Sequence, residues 1–162
     1  MRTIAIGLLA LTFASGVAGA QTAGEQARIL RDFEQSVVDY SQRPRSSDAL
    51  PSAIHAAAPA PKIFTLPVAM VFRQLIARAL AERDGVAVIN GVSAFTHATV
   101  LERFPSNQLH AFPRVLTDAL PPLPASLEYR LIGHDLVVRD TESDIVAGVL
   151  RDAVGLTLTV NR

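Results

Sequence analysis

The chain has 162 residues, 49 % of them hydrophobic, with 15 basic and 15 acidic side chains and no cysteine. That is about one domain's worth of sequence, enough to bury a real core. Balanced charge excludes a strongly electrostatic hold on nucleic acid or an anionic membrane, and the lack of cysteine excludes disulfides, thiolate catalysis and thiolate metal sites.

Residues 1–20 read as a secretory signal peptide. Arg2 supplies the positive start, Ile4 to Phe13 the apolar run, and Ala18-Gly19-Ala20 the small residues of a cleavage site after Ala20. The apolar run is shorter than the roughly 20 residues a spanning helix needs, and no cysteine offers a lipid attachment point. The expectation is therefore a periplasmic or secreted protein with no stable membrane anchor after cleavage. Without Arg2, 14 basic residues face 15 acidic ones, a net charge of −1.

Residues 21–62 read as a helical segment ending in a proline-rich connector. Thr22 and Glu25 have capping-box spacing, and Leu30, Phe33, Val37 and Tyr40 form one apolar stripe, predicting a helix from about Ala23 to Ser41. Pro44 forbids its continuation. A second, short helix is expected over Asp48 to Ala58, followed by the stiff Pro59-Ala60-Pro61.

Residues 63–162 read as an α+β core. The central helix is predicted over Leu66 to Asp84, with Thr65 as N-cap, Pro67 in the first turn and Gly85 just beyond the end. Its buried face is Val68, Val71, Phe72, Leu75, Ile76 and Ala79, with Arg73, Arg78, Glu82 and Arg83 toward water. Residues 86–112 fit either a hairpin around Asn90-Gly91 or a long loop. A short helix follows from Arg114 to Leu120, ended by Pro121-Pro122-Leu123-Pro124. The C-terminal third predicts an antiparallel meander. Its strands are the alternating run around Leu127, Tyr129 and Leu131, then Leu136 to Arg139, then Asp144 to Leu150, and a fourth through Leu156, Leu158 and Val160. The fold class is α+β, with N-terminal helices packed on a C-terminal antiparallel β-meander. The central helix is expected to cover the meander's apolar face.

The run Leu120-Pro121-Pro122-Leu123-Pro124, then Leu127-Glu128-Tyr129-Arg130, Gly133, Asp135-Leu136 and Asp140 resembles a family of small uncharacterised secreted bacterial proteins. Ile63-Phe64-Thr65, Pro67-Val68-Ala69 and Phe72-Arg73 look like the same family's central helix, so the likeness covers residues 63–154. It implies a helical N-terminal half and secretion, and it names no activity. Members often carry Arg where this chain has His134 and an acid where it has Gly148; any chemistry of that acid is missing here. A weaker likeness, of shape alone, is to periplasmic hairpin modules of nickel and cobalt homeostasis.

Candidate sites are few. The histidines, His55, His97, His110 and His134, show no i, i+4 pair and no His-Glu-x-x-His. Ser93, in Gly91-Val92-Ser93-Ala94-Phe95, lacks the second glycine of a nucleophile elbow. Asp140, Glu142 and Asp144 fall at every second position around a turn; they suit a calcium ion or a solvated acidic turn, and the loop glycine of a calcium site is missing. Arg130 and Asp140 are expected to pair across neighbouring strands, either for register or within a polar binding face of Arg130, His134, Asp135, Arg139 and Asp140. No phosphate cradle or dinucleotide loop occurs, so no cofactor is implied. The leading expectation is a non-catalytic module for a periplasmic protein or small ligand, with no nucleic-acid partner. The alternatives are an exported hydrolase assembled from His97, His110 and an acid, and periplasmic metal handling.

Overall fold

The computed structural model describes residues 23–43, 62–82, 98–105 and 111–155. The signal peptide, the Asp48–Ala58 helix, the fourth strand through Leu156, Leu158 and Val160, and Ser93, His55, His97 and His110 lie outside the described residues. So does most of the segment read as hairpin or loop.

Helix α1 spans Ala23–Ser41 and buries Ile29, Phe33 and Val37. Leu30 and Tyr40 are half-buried beside that stripe, and Ile29 joins it because it lies one turn ahead of Phe33. Helix α2 spans Leu66–Glu82. Its first turn closes with Ala69 N donating to the Thr65 carbonyl at 2.8 Å. Val68, Ala69, Val71, Phe72, Ile76 and Ala79 are buried, and Leu75 is half-buried. Arg73 departs from the expected water-facing set: its Nη2 donates to the Arg151 carbonyl at 2.8 Å and ties α2 to the end of the sheet. Helix α3 is short, Arg114–Ala119. Pro113 precedes it with an extended backbone, and its carbonyl accepts from Leu116 N at 3.0 Å and Thr117 N at 3.1 Å.

Three strands, β1 (Leu127–Ile132), β2 (Asp135–Asp140) and β3 (Ile145–Leu150), form an antiparallel sheet in the order β1-β2-β3. Ile132 opposes Asp135, leaving a two-residue turn at Gly133-His134; Gly133 sits at φ 57°, a conformation its missing Cβ permits. The β2–β3 connection is Thr141 to Asp144, and a bulge at Val138/Arg139 shifts the β2–β3 register.

One apolar cluster joins α1, α2, α3 and the sheet through Leu127, Leu131, Leu136, Val138, Ala147 and Leu150. Helices in the N-terminal part therefore pack on a C-terminal antiparallel sheet. A chain of rings runs through that cluster: Phe33 to Phe72 at 4.6 Å, Phe72 to Tyr129 at 6.3 Å and Tyr129 to Phe112 at 5.9 Å between centroids. Such pairs add about 0.5–1.5 kcal/mol each beyond their burial. The residues leading into α2 lie directly over β3, where a Cβ on Gly148 would come within 3.1 Å of Ile63 Cβ.

The second face of the sheet carries apolar residues as well. Ile132, Val137 and Val146 are buried there under Ala98 and Phe104. The meander expected to bury one face has apolar cover on both, because β2 is the central strand and reads as a near-continuous buried run.

Candidate functional site

The register decides which polar residues of the meander meet. Counting outward from the Gly133-His134 turn, Glu128 opposes Arg139, Arg130 opposes Val137, and Leu127 opposes Asp140. Successive residues of a strand point to opposite faces, so Arg130 and Arg139 share the second face while Asp140 points into the helix-covered side. The expected Arg130–Asp140 pair does not fit this register. The proposed five-residue polar face is divided by the sheet itself.

On the second face a charged ladder crosses β1, β2 and the β2–β3 turn. Arg130 Nη2 meets Glu128 Oε2 at 2.5 Å, and Arg139 Nη1 meets Glu128 Oε1 at 2.7 Å. Arg139 Nε and Nη2 both donate to Asp144 Oδ1, at 2.9 and 2.7 Å. The Arg139 guanidinium also lies over the Phe104 ring, 5.0 Å from its centroid, a cation–π contact that shields the ladder's inner side. All four ladder side chains are partly exposed, from 16 % for Arg139 to 34 % for Asp144.

Burial works against the charge on Glu128, but hydrogen bonds and Coulombic attraction from Arg130 and Arg139 outweigh it and hold the carboxyl below its ordinary range. Burial likewise disfavours the Arg139 cation, and Asp144 and Glu128 outweigh that and raise its pKa. A carboxylate kept ionised between two permanent cations is poorly matched to proton transfer near neutrality. What the ladder can do is present fixed charges of both signs.

The two buried aspartates have other tasks. Asp140 accepts from Glu142 N at 3.0 Å and Ser143 N at 3.2 Å through Oδ1, and from the Tyr40 hydroxyl at 3.3 Å through Oδ2. It shapes the turn and ties α1 to it. Asp135 accepts from Asp152 N at 3.0 Å and from Arg151 Nη1 at 2.5 Å. His134 is half-buried in the two-residue turn, and its carbonyl accepts from Val154 N at 3.1 Å. Asp140, Glu142 and Asp144 do not converge as a calcium loop would: Asp140 turns to backbone amides and Asp144 to Arg139. Among the described residues no group of three or more His, Asp or Glu side chains could hold a metal ion, and no helix is long and apolar enough to cross a membrane.

Glu128, Phe104 and Arg151 are site neighbours that residue type alone does not single out. Glu128 was accessible from the turn alone, since a two-residue loop at 133–134 sets it opposite Arg139. Phe104 and Arg151 come from segments distant in sequence, and no local pattern points to them. Comparison with known protein families, curated proteins and solved structures found no match.

Proposed function

We propose that the protein is an exported, non-catalytic module that binds a periplasmic protein or small polar ligand through the second face of its sheet. The observation that carries this reading is the Arg130–Glu128–Arg139–Asp144 ladder, whose charges are held in place yet partly exposed. Side chains already ordered on a sheet lose little further freedom when a partner docks, so their polar contacts count nearly in full. Arg130 is the contact residue of choice, because its guanidinium is planar, permanently charged and able to grip a carboxylate with two N–H groups. His134, Asp135 and Asp140 leave the proposed contact set, since they shape turns. The likeness of the Leu120–Asp140 run to small secreted proteins agrees with this reading, as does the leader expected at residues 1–20.

Two measurements test it. N-terminal sequencing of the protein from a periplasmic fraction should begin at Gln21; intact Met1 on cytosolic protein would remove the export. A photo-crosslinking residue at position 130 should give one discrete adduct in cells, while the same residue at the exposed Thr117 of α3 gives none. Equal labelling at the two positions, or none at either, would remove the ladder as a contact surface.

A further inference from the structure

Residues 98–105 stand apart from the rest of the core. Ala98 and Phe104 bury themselves against Ile132, Val137 and Val146 in a cluster separate from the larger one that unites the helices and the sheet. The same residues lie along the outer edge of β3. Leu101 N donates to the Val146 carbonyl at 2.7 Å, Val146 N to the Glu102 carbonyl at 2.9 Å, and Phe104 N to the Asp144 carbonyl at 2.9 Å. Leu101 sits at φ 71°, a left-handed conformation that costs a branched side chain about 1 kcal/mol or more. Two arginines close over the segment. Arg139 stacks on Phe104 while paired with Glu128 and Asp144. Arg151 forks, with Nη1 on the buried Asp135 and Nη2 on the Ala98 carbonyl at 2.5 Å.

We propose that residues 98–105 form a strap, latched by Arg139 and Arg151, that opens as a unit while the helix-covered side of the sheet stays folded. Local opening starts where few apolar contacts and few hydrogen bonds hold a segment. Among the described residues the strap has a small separate apolar cluster, a short run of edge pairing and one strained residue. Its side-chain ties are the Arg139 guanidinium on the Phe104 ring and the Arg151 hydrogen bond to the Ala98 carbonyl, and the Arg151 side chain is 47 % accessible. Opening uncovers Ile132, Val137 and Val146 together with backbone groups of the β3 edge, the kind of apolar edge that folded proteins keep covered. The strap is thus a guard on that edge, released without unfolding the module.

The chain contains no cysteine, so a single introduced thiol reports on one position. Val137 lies under the strap and Val138 under the helices, and both are fully buried. Val137→Cys should react with a thiol reagent more than about tenfold faster than Val138→Cys under folding conditions. Arg151→Lys keeps a charge for Asp135 but loses the fork to Ala98, and it should raise the Val137→Cys rate at least about threefold without altering Val138→Cys. Equal rates at the two positions would overturn the strap; a fast Val137→Cys indifferent to Arg151→Lys would overturn the latch. Hydrogen exchange on the unsubstituted chain gives the same decision: the Val146 and Phe104 amides should exchange ahead of the Phe72 amide inside α2, and joint exchange would refute the proposal.

Discussion

Truncating Asp140 measures how much of the meander's polar chemistry is architecture. The carboxylate is 1 % exposed and accepts from two turn amides and the Tyr40 hydroxyl. Each hydrogen bond to a charged acceptor contributes about 1.5–3 kcal/mol when its donor has no substitute. The Tyr40 bond is long at 3.3 Å and belongs well below that range. The turn amides are half-exposed and recover some hydration after truncation, so Asp140→Ala should cost about 3 kcal/mol in total. Asp140→Asn keeps an oxygen for the two amides and loses only the charge, at about 1 kcal/mol. With a urea slope of about 1.5 kcal/mol per molar, the Ala variant's midpoint falls by about 2 M and the Asn variant's by less than half of that. Urea unfolding followed by far-ultraviolet circular dichroism reads both. Tyr40→Phe completes a double-mutant cycle, and its coupling to Asp140→Ala should stay below about 1 kcal/mol because one weak bond is shared. An Asp140→Ala variant within about 0.5 kcal/mol of the parent would refute the structural role and return Asp140 to the candidate binding set.

Other outcomes follow from the same contacts. Gly148→Ala places a Cβ 3.1 Å from Ile63 Cβ; overpacking of about 1–3 kcal/mol exceeds the roughly 0.4–1 kcal/mol gained by restricting the unfolded chain. A net loss of about 1 kcal/mol is expected in the same urea assay. Glu128 has a lowered folded pKa, so its contribution is full above the ordinary value of 4.5 and disappears as the pH falls through the folded value; Glu128→Gln should flatten that acid limb in thermal melts, and an unchanged limb would assign it elsewhere. Burial, with help from Glu34's charge, pushes the Tyr129 phenol upward, so its contribution is intact below about pH 10 and fades as the pH climbs toward the folded value. In a Tyr40→Phe background, Tyr129 is the remaining tyrosine of two, and ultraviolet titration should show it ionising only together with unfolding. Tyr129→Phe removes its hydrogen bond to the Pro121 carbonyl, 3.0 Å long, and should cost about 1 kcal/mol by urea unfolding.

The elements were legible where periodicity and punctuation agreed. The stripe of Phe33, Val37 and Tyr40 with a capping pattern ahead of it located α1, and Thr65 and Pro67 located the start of α2. Prolines bounded α3 on both sides. The meander followed from alternation at Leu127, Tyr129 and Leu131 and from the glycine at 133. The site was less legible, because its geometry depends on register rather than on residue type. Asp140 and Arg130 are both polar and lie near each other in sequence, and only the parity of the strand puts them on opposite faces. The strap was not legible at all: its seat is built from Ile132, Val137 and Val146, which look like ordinary core, and its latch from Arg151, about fifty residues beyond Ala98.

The Leu120–Asp140 run works as a folding unit, residue by residue. Leu120 N closes α3 on the Leu116 carbonyl, and the Pro121 carbonyl receives the hydroxyl of the half-buried Tyr129. The Pro124 carbonyl receives Leu127 N at 2.9 Å and starts β1. Leu127, Leu131 and Leu136 face the helices, Gly133 takes the left-handed turn, Asp135 holds the chain beyond β3, and Asp140 holds the turn before it. In a run so fully used by the fold, each change is resisted by stability alone, whatever the protein binds. Glu128 and Arg130 differ from its other members: their side chains remain 26 % and 21 % exposed, and ion pairs that solvent still reaches contribute less than buried ones, about 0–1 kcal/mol when fully exposed. A stability screen across the run should therefore find Arg130→Ala clearly less costly than Asp135→Ala, Asp140→Ala and Gly133→Ala. If Arg130→Ala is as damaging as the others, Arg130 is architecture too, and the contact surface must be sought away from the motif.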